Sequence, residues 1–341
     1  MPRIFLYEFV TGGGTFSDRR LSEPRGSLLR EGAAMVEALA RDLLAMPHVE
    51  LDLMQDVRLA GLGLPGCHIH PVRSAADERR ALTELAARAE GTILIAPELG
   101  GHLLDRCLWV EAAAGRLLSP SPSFVRWASD KNRTADRLQR AGVPVPPAAE
   151  LRAGDPLPAD FPYPAVCKPP DGAGSTGIRF VPSAAAEPHT VEGAARLEKF
   201  CEGLPASAAL LCGPEQCIAM PACRQRLSDD GRFRYLGGAV PLEAPLARRA
   251  ETLALAAVRA MPRTVGYVGV DLILGDAPDG RQDVVIEINP RLTTSYVGLR
   301  RLARSNLAAA MVAVAQGRPV ELSFSDQCVE FDADGQVKWD A

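Results

Sequence analysis

Hydrophobic positions in the N-terminal third of the chain alternate between strand-like and helix-like spacing. Short apolar runs at 4–10, 49–54 and 92–96 predict strands, and the last run, TILIA, is continuously apolar, as expected for a strand buried on both faces. Between these runs, apolar residues recur at helical spacing over 27–46 and 76–89. Because alternating strands and helices are typical of a parallel sheet covered by helices, we predict a Rossmann-like α/β unit of three layers.

Glycine and acidic residues follow two of these predicted strands. Gly12 and Gly13 come after the first strand, and Pro97 and Glu98 come after the third. Ligands of such sheets bind beyond the carboxyl ends of the strands, so Gly12 and Gly13 are candidate substrate contacts. A flexible turn is the alternative, and a dinucleotide site is not expected because the G-x-G-x-x-G pattern is absent.

The pattern changes after the Pro/Ser-rich stretch 119–123. A helix is predicted over 130–141, closed by Gly142, and a proline-rich extended connection over 144–164. The final stretch, 318–341, predicts a hairpin or a docked tail. Strands are predicted at 165–168, 178–181, 210–212, 217–226, 233–237, 267–274 and 283–288, and helices at 190–202, 246–261 and 299–316.

The segment KPPDGAGSTG at 168–177 ends a predicted strand with Lys168 and continues as a glycine-rich hairpin. Glycines let the backbone approach phosphate oxygens closely, with the N–H groups pointing inward. The lysine precedes the glycines, unlike the lysine of a P-loop, and an ordinary glycine turn is the alternative. The candidate nucleotide contacts are Lys168, Gly172, Gly174, Ser175, Thr176 and Gly177.

Two acidic residues and an asparagine lie on a pair of predicted strands near the end of the chain. Glu287 and Asn289 share one face of a strand, and Asp271 lies on the apolar strand that pairs with it through the Asp279-Gly280 turn. Three oxygen donors of this kind suit a hard cation that bridges nucleotide phosphates. Separate ion pairs with arginines are the alternative, although they explain three inward-pointing polar groups poorly.

Arg291 follows this acidic strand directly, and hydroxyl side chains come next. A rigid guanidinium beside a metal site suits a carboxylate or a transferring phosphoryl group, which it binds through paired hydrogen bonds. Simple pairing of Arg291 with Glu287 is the alternative. The candidate substrate contacts in this loop are Thr293, Thr294 and Ser295.

The composition of the chain argues against nucleic-acid binding and against a membrane protein. The chain has 341 residues, 47% of them hydrophobic, and a formal net charge of −4, so no basic footprint for nucleic acid is expected. No apolar run approaches the ~20 residues that cross a bilayer, and the N-terminus lacks a secretion signal. We therefore expect a cytoplasmic protein that binds neither nucleic acid nor membrane. The eight cysteines form no C-x-x-C pair and are expected to be small buried side chains.

Taken in order along the chain, these residues resemble the ATP-grasp superfamily. The resemblance implies an α/β protein, α+β in its nucleotide lobes, in which a pre-ATP-grasp domain over 1–118 precedes two lobes. The small lobe with the glycine-rich lid would span 119–212, and the metal-binding lobe with the tail 213–341. A strand called the hinge, which holds adenine where the two lobes join, would be formed by Glu215, Gln216, Cys217 and Ile218.

The same resemblance assigns roles to the remaining candidates. Lys131 and Lys168 would contact the nucleotide phosphates, and Arg291 would lie next to the reacting phosphate. ATP would be bound with Mg²⁺, or with Mn²⁺ as an alternative. The catalytic residues would be Arg291 and Lys168, and the metal ligands Asp271, Glu287 and Asn289.

Within that superfamily, the segments 29–35 and 287–299 look like the tyramine–glutamate ligases of methanofuran biosynthesis. This narrower resemblance implies phosphorylation of the glutamate γ-carboxylate and attack by the tyramine amine, with release of ADP and phosphate. A ligase for another amino acid and amine, a small-molecule kinase on the same scaffold and a non-catalytic nucleotide-binding module stay open. The expected partners are a small carboxylate and an amine, and assembly into homo-oligomers also stays open.

Overall fold

The protein is described by a computed structural model over residues 2–21, 23–172, 176–186 and 188–339. The predicted lid residues Gly174 and Ser175 lie outside these ranges. The helices are α1 (Gly26–Leu44), α2 (Ala75–Arg88), α3 (His102–Ala112), α4 (Pro122–Ala128), α5 (Lys131–Arg140), α6 (Ala244–Ala260), α7 (Tyr296–Leu302) and α8 (Leu307–Ala315).

Sixteen strands are formed by the described residues, and most are short. They are β1 (Arg3–Glu8), β2 (Glu50–Asp56), β3 (Cys67–Val72), β4 (Gly91–Ile95), β5 (Ala148–Leu151), β6 (Ala165–Lys168), β7 (Arg179–Val181), β8 (Ala195–Lys199), β9 (Leu204–Cys212), β10 (Cys217–Ala219), β11 (Cys223–Leu227), β12 (Tyr235–Val240), β13 (Gly266–Leu274), β14 (Val284–Asn289), β15 (Val329–Asp332) and β16 (Val337–Trp339).

The N-terminal sheet has the order β3-β2-β1-β4, and its three strand pairs are all parallel. All residues of β4 are buried, as its continuous apolar run predicts. The helices α1 and α2 begin and end within two residues of the predicted bounds. The predicted Rossmann-like α/β unit is confirmed.

A second, antiparallel sheet has the order β5-β8-β6-β7. The predicted helix over 190–202 is wrong, because residues 195–199 form β8 at the centre of this sheet. Two charged residues of β8, Arg196 and Glu198, are buried and hydrogen-bonded to each other. A buried strand is expected to consist mainly of apolar residues. Because these two residues are charged, the sequence of β8 does not show the pattern of a buried strand.

The third sheet has eight strands in the order β14-β13-β9-β11-β12-β15-β16, with β10 paired to β9. The predicted strand over 217–226 is divided into β10 and β11, and the predicted helix over 299–316 into α7 and α8. The predicted C-terminal hairpin is confirmed, since β15 pairs with β16 and extends the sheet through β12.

Residues 200–203 are the only residues between β8 of the small sheet and β9 of the eight-stranded sheet. The strand β9 pairs with β13 along its whole length. The two sheets therefore meet at 200–203, so residues 204–212, which we assigned to the small lobe, belong to the larger one.

Helix α1 of the N-terminal unit packs against the C-terminal helices α7 and α8. The Asp42 carboxylate accepts hydrogen bonds from the Tyr296 hydroxyl at 2.6 Å and from Nε of Arg300 at 2.8 Å. Apolar residues of α1, α7 and α8 also share one hydrophobic core. Among the described helices, none is long and apolar enough to cross a membrane.

Candidate active site

A cavity of about 420 Å³ opens between the small antiparallel sheet and the eight-stranded sheet. Its lining includes residues of β6 and β8 of the small sheet and of β9, β11, β12, β13 and β14 of the eight-stranded sheet. The connection at 200–203, the loop between β11 and β12, the loop before α7 and one residue of α1 also contribute. The predicted residues that line this cavity are Lys168, Asp271, Glu287, Asn289, Arg291, Thr293, Thr294 and Ser295.

The three predicted metal ligands lie together on β13 and β14. Asp271 is paired in register with Glu287, and a β-bulge follows Asp271 on its strand. Nδ2 of Asn289 donates a hydrogen bond to Oδ2 of Asp271 at 2.9 Å. Gln225 on β11 donates to the other oxygen, Oδ1, at 2.7 Å. Sequence reasoning missed Gln225, which reaches the acids from the far side of β9.

The two carboxylates have opposite electrostatic environments. Loss of contact with water, together with the negative charge of Glu287, raises the pKa of Asp271 to about 7. Burial also acts to raise the pKa of Glu287, but the positive charges of Lys131 and Lys168 outweigh it and lower that pKa to about 2. A divalent cation placed between the two acids would relieve their repulsion and favour ionised Asp271.

The residues present fit a magnesium ion that keeps other ligands. No group of three or more histidine, cysteine, aspartate or glutamate side chains that could hold a metal occurs in the described ranges. The donors are instead two carboxylates and the amide of Asn289. Mg²⁺ is typically bound by one or two carboxylates, substrate phosphates and water, so this incomplete set is the expected one.

Two lysines approach the acids from different elements. Asp130 caps α5 by accepting hydrogen bonds from the backbone of Asn132 and Arg133, which places Lys131 in the first turn. Nζ of Lys131 lies 3.1 Å from Oε2 of Glu287 and donates to the Gly172 carbonyl at 3.2 Å. It lines a small recess next to the cavity rather than the cavity itself.

Lys168 ends β6 and is almost fully buried. Its Nζ lies 2.7 Å from Oε2 of Glu198, and the other oxygen of that carboxylate, Oε1, accepts a hydrogen bond from Arg196. Glu198 therefore holds the lysine against the small sheet, where its charge faces Glu287 across the cavity. Both lysines of the predicted nucleotide site thus lie near the acids.

Arg291 is held by an acid from the N-terminal unit. Its Nε donates to Oε1 of Glu98 at 3.0 Å, and Nη1 donates to the Leu292 carbonyl. Nη2 has no partner within the part of the chain that the structure describes. Glu98 lies three residues after the end of β4. The predicted position beyond a strand end therefore does contribute to the site, by binding Arg291.

A network of hydroxyl groups supports the loop after Arg291. The Tyr267 hydroxyl lies 3.2 Å from Oγ1 of Thr293 and 3.0 Å from Oγ of Ser295, and those two oxygens are 2.9 Å apart. A Cβ added to Gly269 would lie 2.6 Å from Cγ2 of Thr293, so only glycine allows the loop to pack on β13 at this point.

The four residues predicted to form the hinge lie outside the cavity lining. They lie in the hairpin between β9 and β10, and Gln216 donates to the Arg318 carbonyl. The cavity is lined instead by the connection between the two sheets, including Phe200 and Cys201. The four predicted hinge residues, none of which lines the cavity, are Glu215, Gln216, Cys217 and Ile218.

Five described candidates from the two glycine-rich segments also lie outside the cavity lining, including Gly172, whose carbonyl accepts the hydrogen bond from Lys131. Gly12 and Gly13 are buried in the turn after β1, and an added Cβ would lie 2.4 Å from the Glu8 carbonyl and 2.5 Å from Val72, respectively. They shape this turn, and the structure does not support the predicted substrate contact. Thr176 and Gly177 are exposed.

Two family models match consecutive parts of the chain. An ATP-grasp domain matches residues 128–295, and a pre-ATP-grasp domain matches residues 49–125. The first span contains both lysines, both acids and Arg291. The second contains most of the N-terminal sheet and Glu98.

Individual proteins are similar to parts or all of the chain. The tyramine–L-glutamate ligase of Methanocaldococcus fervens is 31% identical over 135 residues, which are 40% of this chain and 42% of that protein. The chain spans about two fifths of the length of the curated relatives it matches.

Solved structures match over nearly the whole chain. An ATP-grasp superfamily protein from Archaeoglobus fulgidus has a TM-score of 0.72 at 24% identity and covers 97% of this chain and 92% of its own. A biotin carboxylase complex with β,γ-ATP from Campylobacter jejuni has a TM-score of 0.71 at 18% identity, with coverages of 96% and 74%. At these identities the likeness is one of fold.

Proposed function

This chain belongs to the ATP-grasp superfamily, and we propose that it is a magnesium-dependent ligase that joins a carboxylate to an amine through an acyl phosphate. The observation that carries the proposal is the grouping of Asp271, Glu287 and Asn289 beside Arg291 in one cavity. Two inward-pointing acids are costly for a module that merely binds a nucleotide, because each must be neutralised.

The nucleotide would lie where the two sheets meet. Val166 and Ile178 line the cavity from the small lobe, and Ile286 lines it from β14. Phe200 and Cys201 close its end at the connection between the sheets. Apolar side chains on two sides suit a flat base, while the backbone of a connecting strand offers the hydrogen bonds that orient it.

The triphosphate would extend from this apolar end toward the charged end. Lys168 and Lys131 supply positive charge there, and Asp271, Glu287 and Asn289 would hold magnesium against the phosphates. Bound magnesium neutralises charge that develops during phosphoryl transfer. The Lys131 contact with the Gly172 carbonyl would couple the phosphate end to the start of the lid.

Arg291 and the hydroxyl loop would bind the carboxylate substrate. Nη2 of Arg291 is available to a carboxylate oxygen, while Glu98 holds the guanidinium in place through Nε. A carboxylate oxygen attacks the γ-phosphorus and ADP leaves, and the amine then attacks the acyl carbon with loss of phosphate. Arg291 neutralises charge on the phosphoryl group in both steps, and division into two steps lowers the barrier of each.

For the substrate pair we propose the γ-carboxylate of glutamate and tyramine, in a methanofuran-type biosynthetic reaction. The name of the curated relatives supports this choice. So does the resemblance of the segment that carries Glu287, Asn289 and Arg291. The matched part of those relatives is under half of their length, so the pair is the first to test among related amino acids and amines.

The test is an incubation of the purified protein with Mg-ATP, glutamate and a panel of primary amines that includes tyramine. We expect ADP and phosphate in equal amounts with a condensed amide, identified by mass spectrometry, and no product without magnesium. A phosphorylated product without free phosphate would instead identify a kinase. ATP binding without turnover of any pair would leave a nucleotide-binding module.

A further inference from the structure

We propose that Glu31 on α1 binds the ammonium group of the acceptor amine and holds it beside Arg291. This inference rests on the proposed ligase function and adds a residue that selects the acceptor. Its starting point is that Glu31 lines the cavity although it lies on a helix of the N-terminal unit, far in sequence from the other lining residues.

Within the described residues, Glu31 is the half-buried acid of the cavity lining whose carboxylate has no partner, whereas Asp229, which also lines the cavity, is exposed to solvent. Glu98 pairs with Arg291, Glu198 with Lys168, and Glu287 with Lys131. Glu31 is half-buried, yet within the described residues no hydrogen bond or ion pair reaches its carboxylate. A partly desolvated carboxylate without a partner is unfavourable in the empty protein, and a cationic ligand would satisfy it.

The backbone of α1 holds this carboxylate in place. A Cβ added to the next residue, Gly32, would lie 2.5 Å from Oε1 of Glu8, so α1 packs tightly on the end of β1. Farther along α1, Asp42 is bound by Tyr296 and Arg300 of α7. The helix with Glu31 is thus fixed against both the N-terminal sheet and α7, the helix that follows the hydroxyl loop, which pre-organises a binding group.

The groups that face Glu31 suit an ammonium ion close to the acyl phosphate. Burial raises the pKa of Glu31, while the charges of Arg291 and Arg30 lower it. Both side chains line the cavity, and the negative charge of Glu31 contributes to the raised pKa of Arg291. Tyr235 lines the cavity near them and would border the carbon chain of the amine.

This placement also gives a route for the proton that the amine must lose. An ammonium N–H bond breaks and its proton passes to the Glu31 carboxylate. The freed nitrogen lone pair forms the C–N bond at the acyl carbon, and the C–O bond to phosphate breaks with its electron pair on phosphate. The second N–H proton of the attacking nitrogen passes to the departing phosphate, which leaves a neutral amide. A primary amine that is protonated in solution matches Glu31, whereas an alcohol carries no charge for it to bind.

The test compares two nucleophiles that accept the same acyl group. The carboxylate and amine identified by the panel are used with Mg-ATP, and hydroxylamine, which is largely uncharged near neutral pH, replaces the amine in a parallel reaction. The ratio of amide to hydroxamate formed is measured for the wild type, Glu31→Gln and Glu31→Asp. Glu37→Gln, on α1 but outside the cavity lining, is the matched control.

We expect Glu31→Gln to lower the amide-to-hydroxamate ratio at least about tenfold, chiefly through a higher KM for the amine, because a charge-assisted contact is lost. Glu31→Asp should recover part of it, and Glu37→Gln should keep the wild-type ratio. An unchanged ratio in Glu31→Gln, or equal loss of both products, would overturn the inference while the ligase proposal stands. Absence of hydroxamate from the wild type would overturn the ligase proposal itself.

Discussion

Asp271 and Glu287 face each other on adjacent strands, yet they differ in the charge they carry near neutral pH. The lysines keep Glu287 ionised, whereas burial and the charge of Glu287 favour protonated Asp271. Near pH 7 the metal-free site therefore holds about half a negative charge fewer than its two acids suggest. A metal ion that binds both carboxylates must displace the proton of Asp271.

This leads to a pH dependence of magnesium binding. The pKa of Asp271 in the folded, metal-free protein is about 7, so the affinity for Mg²⁺ should rise with pH by up to about tenfold per unit below pH 7 and level off above it. Calorimetry at pH 5.5 to 8.5 in buffers of different ionisation enthalpy measures both the affinity and the proton released.

The variant Asp271→Asn serves as the control for that measurement. It should bind Mg²⁺ more weakly at every pH and lose most of the dependence between pH 5.5 and 7, because the titrating group is gone. Binding by the wild type that does not change with pH would contradict either the raised pKa or the role of Asp271 as a ligand.

Several residues of the site could be predicted from the sequence because local rules place them. Alternation along a strand puts Glu287 and Asn289 on one face, and a short turn puts Asp271 on the neighbouring strand. Glu31 and Gln225 could not be predicted in this way. Their positions depend on how α1 and β11 pack on distant elements, which no local pattern encodes.

At the scale of elements, the connection between β8 and β9 determines where the two lobes meet. Phe200 in this connection also contacts the rings of Phe180 and Phe233, at centroid distances of 5.4 and 6.1 Å. This aromatic cluster holds the connection in place at the apolar end of the cavity. The adenine end of the nucleotide site should therefore depend on Phe200 rather than on the β9–β10 hairpin.

Substitution of Phe200 tests that position. We expect Phe200→Ala to weaken binding of a non-hydrolysable ATP analogue roughly tenfold, because an aromatic contact of about 1–1.5 kcal/mol is lost. Gln216→Ala, in the hairpin first predicted as the hinge, should bind the analogue as the wild type does. Fluorescence titration gives both affinities, and thermal unfolding checks that each variant is folded.

The reverse outcome would support the hinge position that was predicted from the sequence. Weakened binding in Gln216→Ala with normal binding in Phe200→Ala would contradict the position of the cavity's apolar end. The sequence misled us at this element because Arg196 and Glu198 interrupt the apolar pattern of β8, so its residues matched a helix better than a buried strand.

For the whole molecule, the candidate site is an assembly of three units. Glu31 and Glu98 come from the N-terminal unit, Lys168 from the small sheet, and Arg291 from the eight-stranded sheet and its loop. The Glu98–Arg291 pair joins residues 193 positions apart. The sequence predicted the fold class because the order of strands and helices is local, whereas contacts across units depend on the complete packing.

This assembly explains why the charged end of the cavity suits acyl-phosphate chemistry. Glu98 of the N-terminal unit orients Arg291, whereas the acids that would hold magnesium lie on β13 and β14. The carboxylate and the phosphate are therefore brought together only when all units are in place. Glu31 would add the acceptor from a third direction. A kinase would need the phosphoryl oxygens but not a cationic acceptor site.

The most direct test follows an oxygen atom from the carboxylate to phosphate. The enzyme is incubated with Mg-ATP, tyramine and glutamate labelled with ¹⁸O in its γ-carboxylate, or with the pair that the panel identifies, and the released phosphate is analysed by ³¹P NMR. Phosphorylation of the carboxylate predicts one ¹⁸O atom in each phosphate, because the C–O bond breaks when the amine attacks. Unlabelled phosphate released together with the amide would contradict an acyl-phosphate intermediate.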